Sequence, residues 1–188
     1  MNTAKQILST VLMIFLLSSP AFAEELSWQE TNSKVTGYYK QQQYSTAVGY
    51  AEDALALARK SGTKEEIATS LKNLGEISTH LGRYTEAEKY NKESIAIRQN
   101  LFGPDGAEVA LSWRSLGFTY FLSKQMDDAE MCFQEVLRIQ TKNHGEKSPE
   151  IVPALQRLEK FYKYTKNTEK EKEFTERILN LRTGPEKG

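Results

Sequence analysis

One cysteine, two histidines and five prolines are all that the 188 residues hold of those types. A lone Cys132 excludes an intramolecular disulfide, so packing has to stabilise the chain. It stands beside Phe133 with no adjacent His or Lys, which reads as a small buried hydrophobe; a reactive or dimer-linking thiol is the alternative. His80 and His144 lie far apart, and neither H-E-x-x-H nor a paired His/Cys spacing occurs, so no metal site is expected. No nucleophile elbow is present. Gly145-Glu-Lys-Ser148 lacks the upstream glycine and preceding strand of a phosphate loop. An excess of either charge is missing too, with 25 Lys+Arg against 25 Asp+Glu. Binding nucleic acid or an anionic membrane surface takes concentrated cations, so both partner classes are disfavoured. No alternating strand pattern of useful length appears, and no apolar run approaches the roughly 18 residues a membrane span requires. These absences lead to the expectation of a protein without catalysis, metal or cofactor.

The N-terminus has a different character. Lys5 precedes an apolar run from Ile7 to Leu17, and Ser18-Ser-Pro-Ala-Phe-Ala23 then ends in A-x-A. That order predicts a secretory signal peptide over residues 1–23, cleaved before Glu24. The apolar run is too short for a bilayer about 30 Å thick, and no cysteine stands at the junction to carry a lipid. The expectation is an exported chain, periplasmic or secreted, with no membrane insertion after cleavage.

The remainder repeats itself. Ala68-Thr-Ser-Leu-Lys-Asn-Leu-Gly75, Ala110-Leu-Ser-Trp-Arg-Ser-Leu-Gly117 and Val152-Pro-Ala-Leu-Gln-Arg-Leu-Glu159 place Leu74, Leu116 and Leu158 at steps of 42. A second register follows the same step: Tyr84-x-x-Ala87, Met126-x-x-Ala129 and Thr168-x-x-Glu171. An earlier copy, Tyr44-x-x-Ala47, lies 40 before the first of these. Each unit reads as two helices. Ser27-x-x-Glu30, Thr63-x-x-Glu66 and Asp105-x-x-Glu108 look like capping boxes, and Ser148-Pro149 like an N-cap with proline at the first helical position. Short turns at 40–43, 81–83, 123–125 and 165–167 separate the helices of each pair, whose apolar residues follow the 3.6 period.

A large residue, Leu-Gly, an aromatic and then Ala form the pattern best kept in Trp113, Leu116-Gly117, Tyr120, Ala129 and Phe133. With Gly82-Arg-Tyr-Thr-Glu-Ala-Glu88 and the linker Leu101-Phe-Gly-Pro-Asp-Gly106, it resembles the tetratricopeptide repeat (TPR), in the 42-residue form of kinesin light chains. The resemblance implies an all-α fold, a right-handed α-solenoid of about four helix-turn-helix units. They would span about 26–66, 67–108, 109–150 and 151–182, followed by a flexible tail over 183–188. Glu159 and Glu171 replace Gly and Ala in the fourth unit, as suits a capping end exposed to water.

The resemblance also implies that the first helix of each unit lines a concave groove. Its groove positions fall on Lys72, Asn73, Glu76, Thr79 and His80, on Arg114, Phe118, Phe121 and Leu122, and on Gln156, Lys160 and Lys163, with Asn32, Thr36 and Tyr39 in the first unit. Phe118 and Phe121 with cations nearby suit a peptide bearing apolar and acidic groups. Of the Asn/Lys/Arg set that captures a free C-terminal carboxylate, only Lys72, Asn73 and Arg114 are present. The expected function is an exported protein–protein interaction module, acting as scaffold or assembly factor. The alternative is a structural array that self-associates into a homo-oligomer.

Overall fold

The computed structural model describes residues 26–183. The signal peptide expected over 1–23 lies outside them, as does the expected tail beyond Thr183. Among the described residues eight α-helices follow one another: α1 (Trp28–Lys40), α2 (Tyr44–Ser61), α3 (Lys64–His80), α4 (Tyr84–Phe102), α5 (Ala107–Leu122), α6 (Met126–His144), α7 (Val152–Tyr164) and α8 (Thr168–Thr183). A 3-10 turn, Pro149–Ile151, leads into α7. Consecutive helices pack as pairs, and each pair stacks on the next: α2 on α3, α4 on α5, α6 on α7. The result is an all-α solenoid of four helix-turn-helix units. The unit joints lie at 62–63, 103–106 and 145–148, slightly ahead of the boundaries expected at 66, 108 and 150.

Local chemistry sets the helix ends. Ser27 and Thr63 form true capping boxes, with Ser27 N donating to Glu30 Oε2 at 2.9 Å and Thr63 N to Glu66 Oε2 at 2.8 Å. The third expected box does not form. The N-cap of α5 is Gly106, with no side-chain cap. Asp105 turns instead to α6, where it accepts from Arg138 Nη1 at 2.6 Å and pairs with Lys142. Two cations outbid one backbone N–H for the carboxylate. Ser148 caps the 3-10 turn rather than α7 itself, and that turn absorbs Pro149.

The turn within each unit has one conformation. Gln42, Gly82, Lys124 and Lys166 all stand at positive φ, and the residue after each donates its N–H to a carbonyl five residues back: Tyr38, Ser78, Tyr120 and Tyr162. That closes the preceding helix as a Schellman turn. Between units, α4 and α6 end on Gly103 (φ 76) and Gly145 (φ 91), whereas α2 ends on an extended Gly62, which shortens the first connection by two residues.

Inside each unit the two helices cross closely. A Cβ on Gly117 would lie 2.6 Å from the Phe133 ring, and one on Gly75 would lie 2.4 Å from Asn91 Oδ1. Ala87 and Ala129 are wholly buried, as is Cys132. The apolar core falls into two clusters. One runs through the first two units around Val35, Ala51, Leu71 and Ile77; the other takes in Ile95 of α4 and spans the last two units around Leu116, Phe133, Leu155 and Phe161. The closing helix α8 turns Phe174 and Ile178 inward and leaves a charged outer face, with Glu171 half-buried where the third unit has Ala129.

Candidate binding face

Helices α1, α3, α5 and α7, the first of each unit, supply every residue singled out above. Along this face the backbones of α1 and α3, and of α3 and α5, run close together, whereas α5 and α7 lie farther apart and meet through side chains such as Phe121 and Tyr164. The expected positions do not form one uniform surface.

In the first half the polar groups satisfy one another. Lys72 pairs with Glu76 one turn on, at 2.7 Å, and Asn73 Nδ2 donates to Asn32 Oδ1 at 2.8 Å. Both cation and amide are therefore engaged within the protein. Thr79 is buried and donates to the Gly75 carbonyl, so it faces the helix joint and not solvent. His80 sits in an aromatic group. Tyr44 stacks on it with centroids 4.4 Å apart, the Tyr39 hydroxyl lies 3.0 Å from its Nε2, and Phe118 is 5.6 Å away. Burial lowers the His80 pKa, against the opposing pull of Glu76. The Tyr39 hydroxyl is pushed up to about 12 by burial, then by Glu76.

The second half leaves its cations open. Arg114 of α5 and Arg157 of α7 line a shared cavity of about 230 Å³ floored by Val136 and Gln140 of α6, with Glu150 also on its wall. Among the described residues neither arginine has an ion pair or a hydrogen bond, and the buried Nε of Arg157 is orphaned. Burial lowers the Arg157 pKa, and Arg114 adds like-charge repulsion. Two unpaired guanidiniums beside each other favour an anion between them. Further along, Phe121 packs edge-on against Tyr164 (4.7 Å) and Phe161 (6.3 Å), so it seals the helix joint as much as it faces outward. Lys124 Nζ donates to the Tyr164 hydroxyl at 2.6 Å. On α7, Gln156 is half-buried and Lys160 exposed, as is Lys163.

Sequence reasoning missed Arg157, Tyr44, Lys124 and Tyr164. A signal for Arg157 was present, since it stands two repeat lengths after Asn73. The weak fourth unit obscured that register. Tyr44 belongs to a second helix, which a first-helix template does not cover. Among the described residues no group of His, Cys, Asp and Glu is placed to hold a metal ion. Cys132 is buried and its thiol is pushed up to about 12 by desolvation, which leaves it un-ionised at neutral pH.

A family model described as "Tetratricopeptide repeat" matches residues 32–100, 66–130 and 108–183. Protein KINESIN LIGHT CHAIN-RELATED 1 of Arabidopsis thaliana is 28% identical over 117 residues, which are 62% of this chain and 19% of that protein. The chain thus spans about a fifth of that relative's length. Among solved structures, BtubC (BKLC) from P. vanneervenii superposes with a TM-score of 0.73 at 24% identity, covering 83% of this chain and 63% of that one. A kinesin light chain-type protein of Podosopora anserina with nearly identical TPR-like repeats gives 0.71 at 16% identity, covering 98% and 89%. At these identities the two structures establish the fold alone.

Proposed function

Since the chain belongs to the tetratricopeptide repeat family, whose repeats generally mediate protein–protein interaction, we propose that it holds a protein or peptide segment along the face of α1, α3, α5 and α7. One observation carries the reading: Arg114 and Arg157 share a cavity in which neither forms an ion pair, since Glu150 on its wall bonds to Ser148, next to an aromatic surface on the same face. Cations held out of bulk water without a counter-charge cost stability unless a ligand supplies one. The ligand chemistry is a segment with an acidic group for the arginines and an apolar side chain for Phe118 and its neighbours. The Lys72–Glu76 pair makes the second unit a poor anion site, so charge recognition belongs to the third and fourth units.

Selection from a random peptide library displayed to the purified chain tests this. Enriched peptides are expected to combine Asp or Glu with an aromatic or large aliphatic residue. Arg114→Ala or Arg157→Ala should weaken them by about 2 kcal/mol, roughly 30-fold in Kd, in a fluorescence anisotropy titration. Enriched peptides that lack acidic residues, or that bind both variants as tightly as wild type, would refute the reading.

The site of action in this proposal is outside the cytoplasm, in a periplasm or secreted. The support is the leader-like sequence ending Ala21-Phe-Ala23. N-terminal sequencing of the exported protein should begin at Glu24, and an intact Met1 terminus would overturn that part. Self-association is the second reading, favoured by the exposed Leu26 and Leu179 at opposite ends of the array. Light scattering separates the two, because self-assembly alone gives a mass that rises with concentration.

A further inference from the structure

The joint between α4 and α5 is built differently from its neighbours. Asn91, Ser94 and Arg98 of α4 face Ser112, Ser115 and Thr119 of α5, and all six are buried. Ser94 Oγ lies 2.8 Å from Ser112 Oγ and donates to the Ala68 carbonyl at 2.7 Å. Arg98 Nη1 donates to Ser112 Oγ at 2.9 Å and to the Glu108 carbonyl at 3.0 Å, and Nη2 reaches Thr69 Oγ1 at 3.3 Å. Thr119 Oγ1 lies 2.7 Å from Thr79 Oγ1 and accepts from Asn91 Nδ2 at 3.2 Å.

The same repeat positions are mostly apolar on either side. Where α4 has Asn91, Ser94 and Arg98, α2 has Ala51, Ala54 and Ala58, and α6 has Phe133, Val136 and Gln140. Where α5 has Thr119, α3 has Ile77 and α7 has Phe161. The substitution of polar for apolar groups is concentrated at this joint, across which Ile95 is the one buried α4 residue grouped with the apolar cluster of the second half.

Polar contacts of this kind hold a joint in register but resist opening weakly. When the joint opens, water replaces each hydroxyl and guanidinium contact, so the net loss per bond is small. An apolar joint has no such replacement. Asn91 Oδ1, Arg98 Nε and Ser115 Oγ are buried without a partner, so opening also relieves their desolvation. In an array whose stability is a sum of units and nearest-neighbour joints, the least cooperative joint is where the chain divides. We infer that the protein consists of two separately cooperative halves, α1–α4 and α5–α8, that part at this polar seam. The first half has the smaller buried cluster and opens first. His80 and Phe118 lie 5.6 Å apart across the seam, so its opening widens the candidate binding face there.

Native-state hydrogen exchange with mass spectrometry on the purified chain, at increasing sub-denaturing urea, reads this directly. The slowest amides of α1–α4 are expected to exchange as one group, at least tenfold faster than the slowest amides of α5–α8. A single rate shared by both halves, converging on one opening, would overturn the inference. The triple variant Ser94→Val, Arg98→Met, Ser112→Ala supplies the seam with apolar side chains. It should slow the α1–α4 group and narrow the gap to under threefold. A gap of unchanged size in a folded variant would show that the seam is not its cause. If that variant does not fold, the wild-type profile alone decides.

Discussion

Adding one methyl group at Gly117 sets two effects of opposite sign against each other. The residue lies within α5, where Gly→Ala in a helix interior gains about 0.5–1 kcal/mol. The new Cβ, however, would stand 2.6 Å and 2.8 Å from two Phe133 ring carbons and 3.0 Å from Cys132 Cβ. Phe133 is itself wedged at 5.8 Å from Phe161, and Cys132 is fully buried, so neither can withdraw freely. Overpacking a site of this kind costs about 1–3 kcal/mol, so the overlap should win and the net destabilisation should be about 1–2 kcal/mol. For a chain of this size that lowers Tm by roughly 2–8 °C. Gly49→Ala is the control. It adds the same methyl inside α2 with nothing within 4 Å, so only the propensity effect remains and Tm should rise. Phe133→Leu should partly offset Gly117→Ala, because the shorter side chain vacates the space the methyl enters; the double-mutant cycle measures that coupling. Circular dichroism melts of the wild type and these four variants suffice. A Gly117→Ala variant as stable as Gly49→Ala would mean that α5 and α6 do not cross at the distance described.

Ala129→Glu places a carboxylate at a wholly buried point of the same crossing and should cost about 3 kcal/mol or more in a thermal melt; a wild-type Tm would show the repeat register to be misassigned. Gln42→Gly relieves a left-handed residue in the first turn and should stabilise by up to about 1 kcal/mol, with an unchanged or lower Tm counting against the turn geometry. Glu88 accepts from Lys92 and from the Tyr120 hydroxyl, and its pKa is lowered chiefly by the Lys92 bond. A carboxylate with a depressed folded-state pKa contributes stability above its ordinary pKa and loses it as pH falls through the depressed value. Tm of the wild type should therefore fall below about pH 4.5 more steeply than that of Glu88→Gln, and parallel Tm-against-pH curves would refute the assignment.

The architecture was legible because it rests on periodicities. Apolar residues at the 3.6 spacing mark each helix, and Leu74, Leu116 and Leu158 mark successive units at steps of 42. Gly117 and Ala129 announced a close crossing because few residue types fit one, and the structure finds the crossing there. Ser27 and Thr63 were readable as caps since a capping box joins residues three apart. Asp105 carries the same local signal and does something else, because Arg138 and Lys142 reach it from more than thirty residues away. The binding face divides along the same line. Residue types at repeat positions nominated Lys72 and Arg114 equally. Glu76, one turn from Lys72, neutralises it, while Arg114 and Arg157 share a cavity whose one carboxylate, Glu150, bonds to Ser148 and pairs with neither. Local and periodic terms are encoded by the types of residues close in the chain, so the sequence alone determined the helices, their pairing and the turns between them. Which polar groups find a partner depends on side chains that the packing of separate units brings within about 3 Å, and only the tertiary structure decided that.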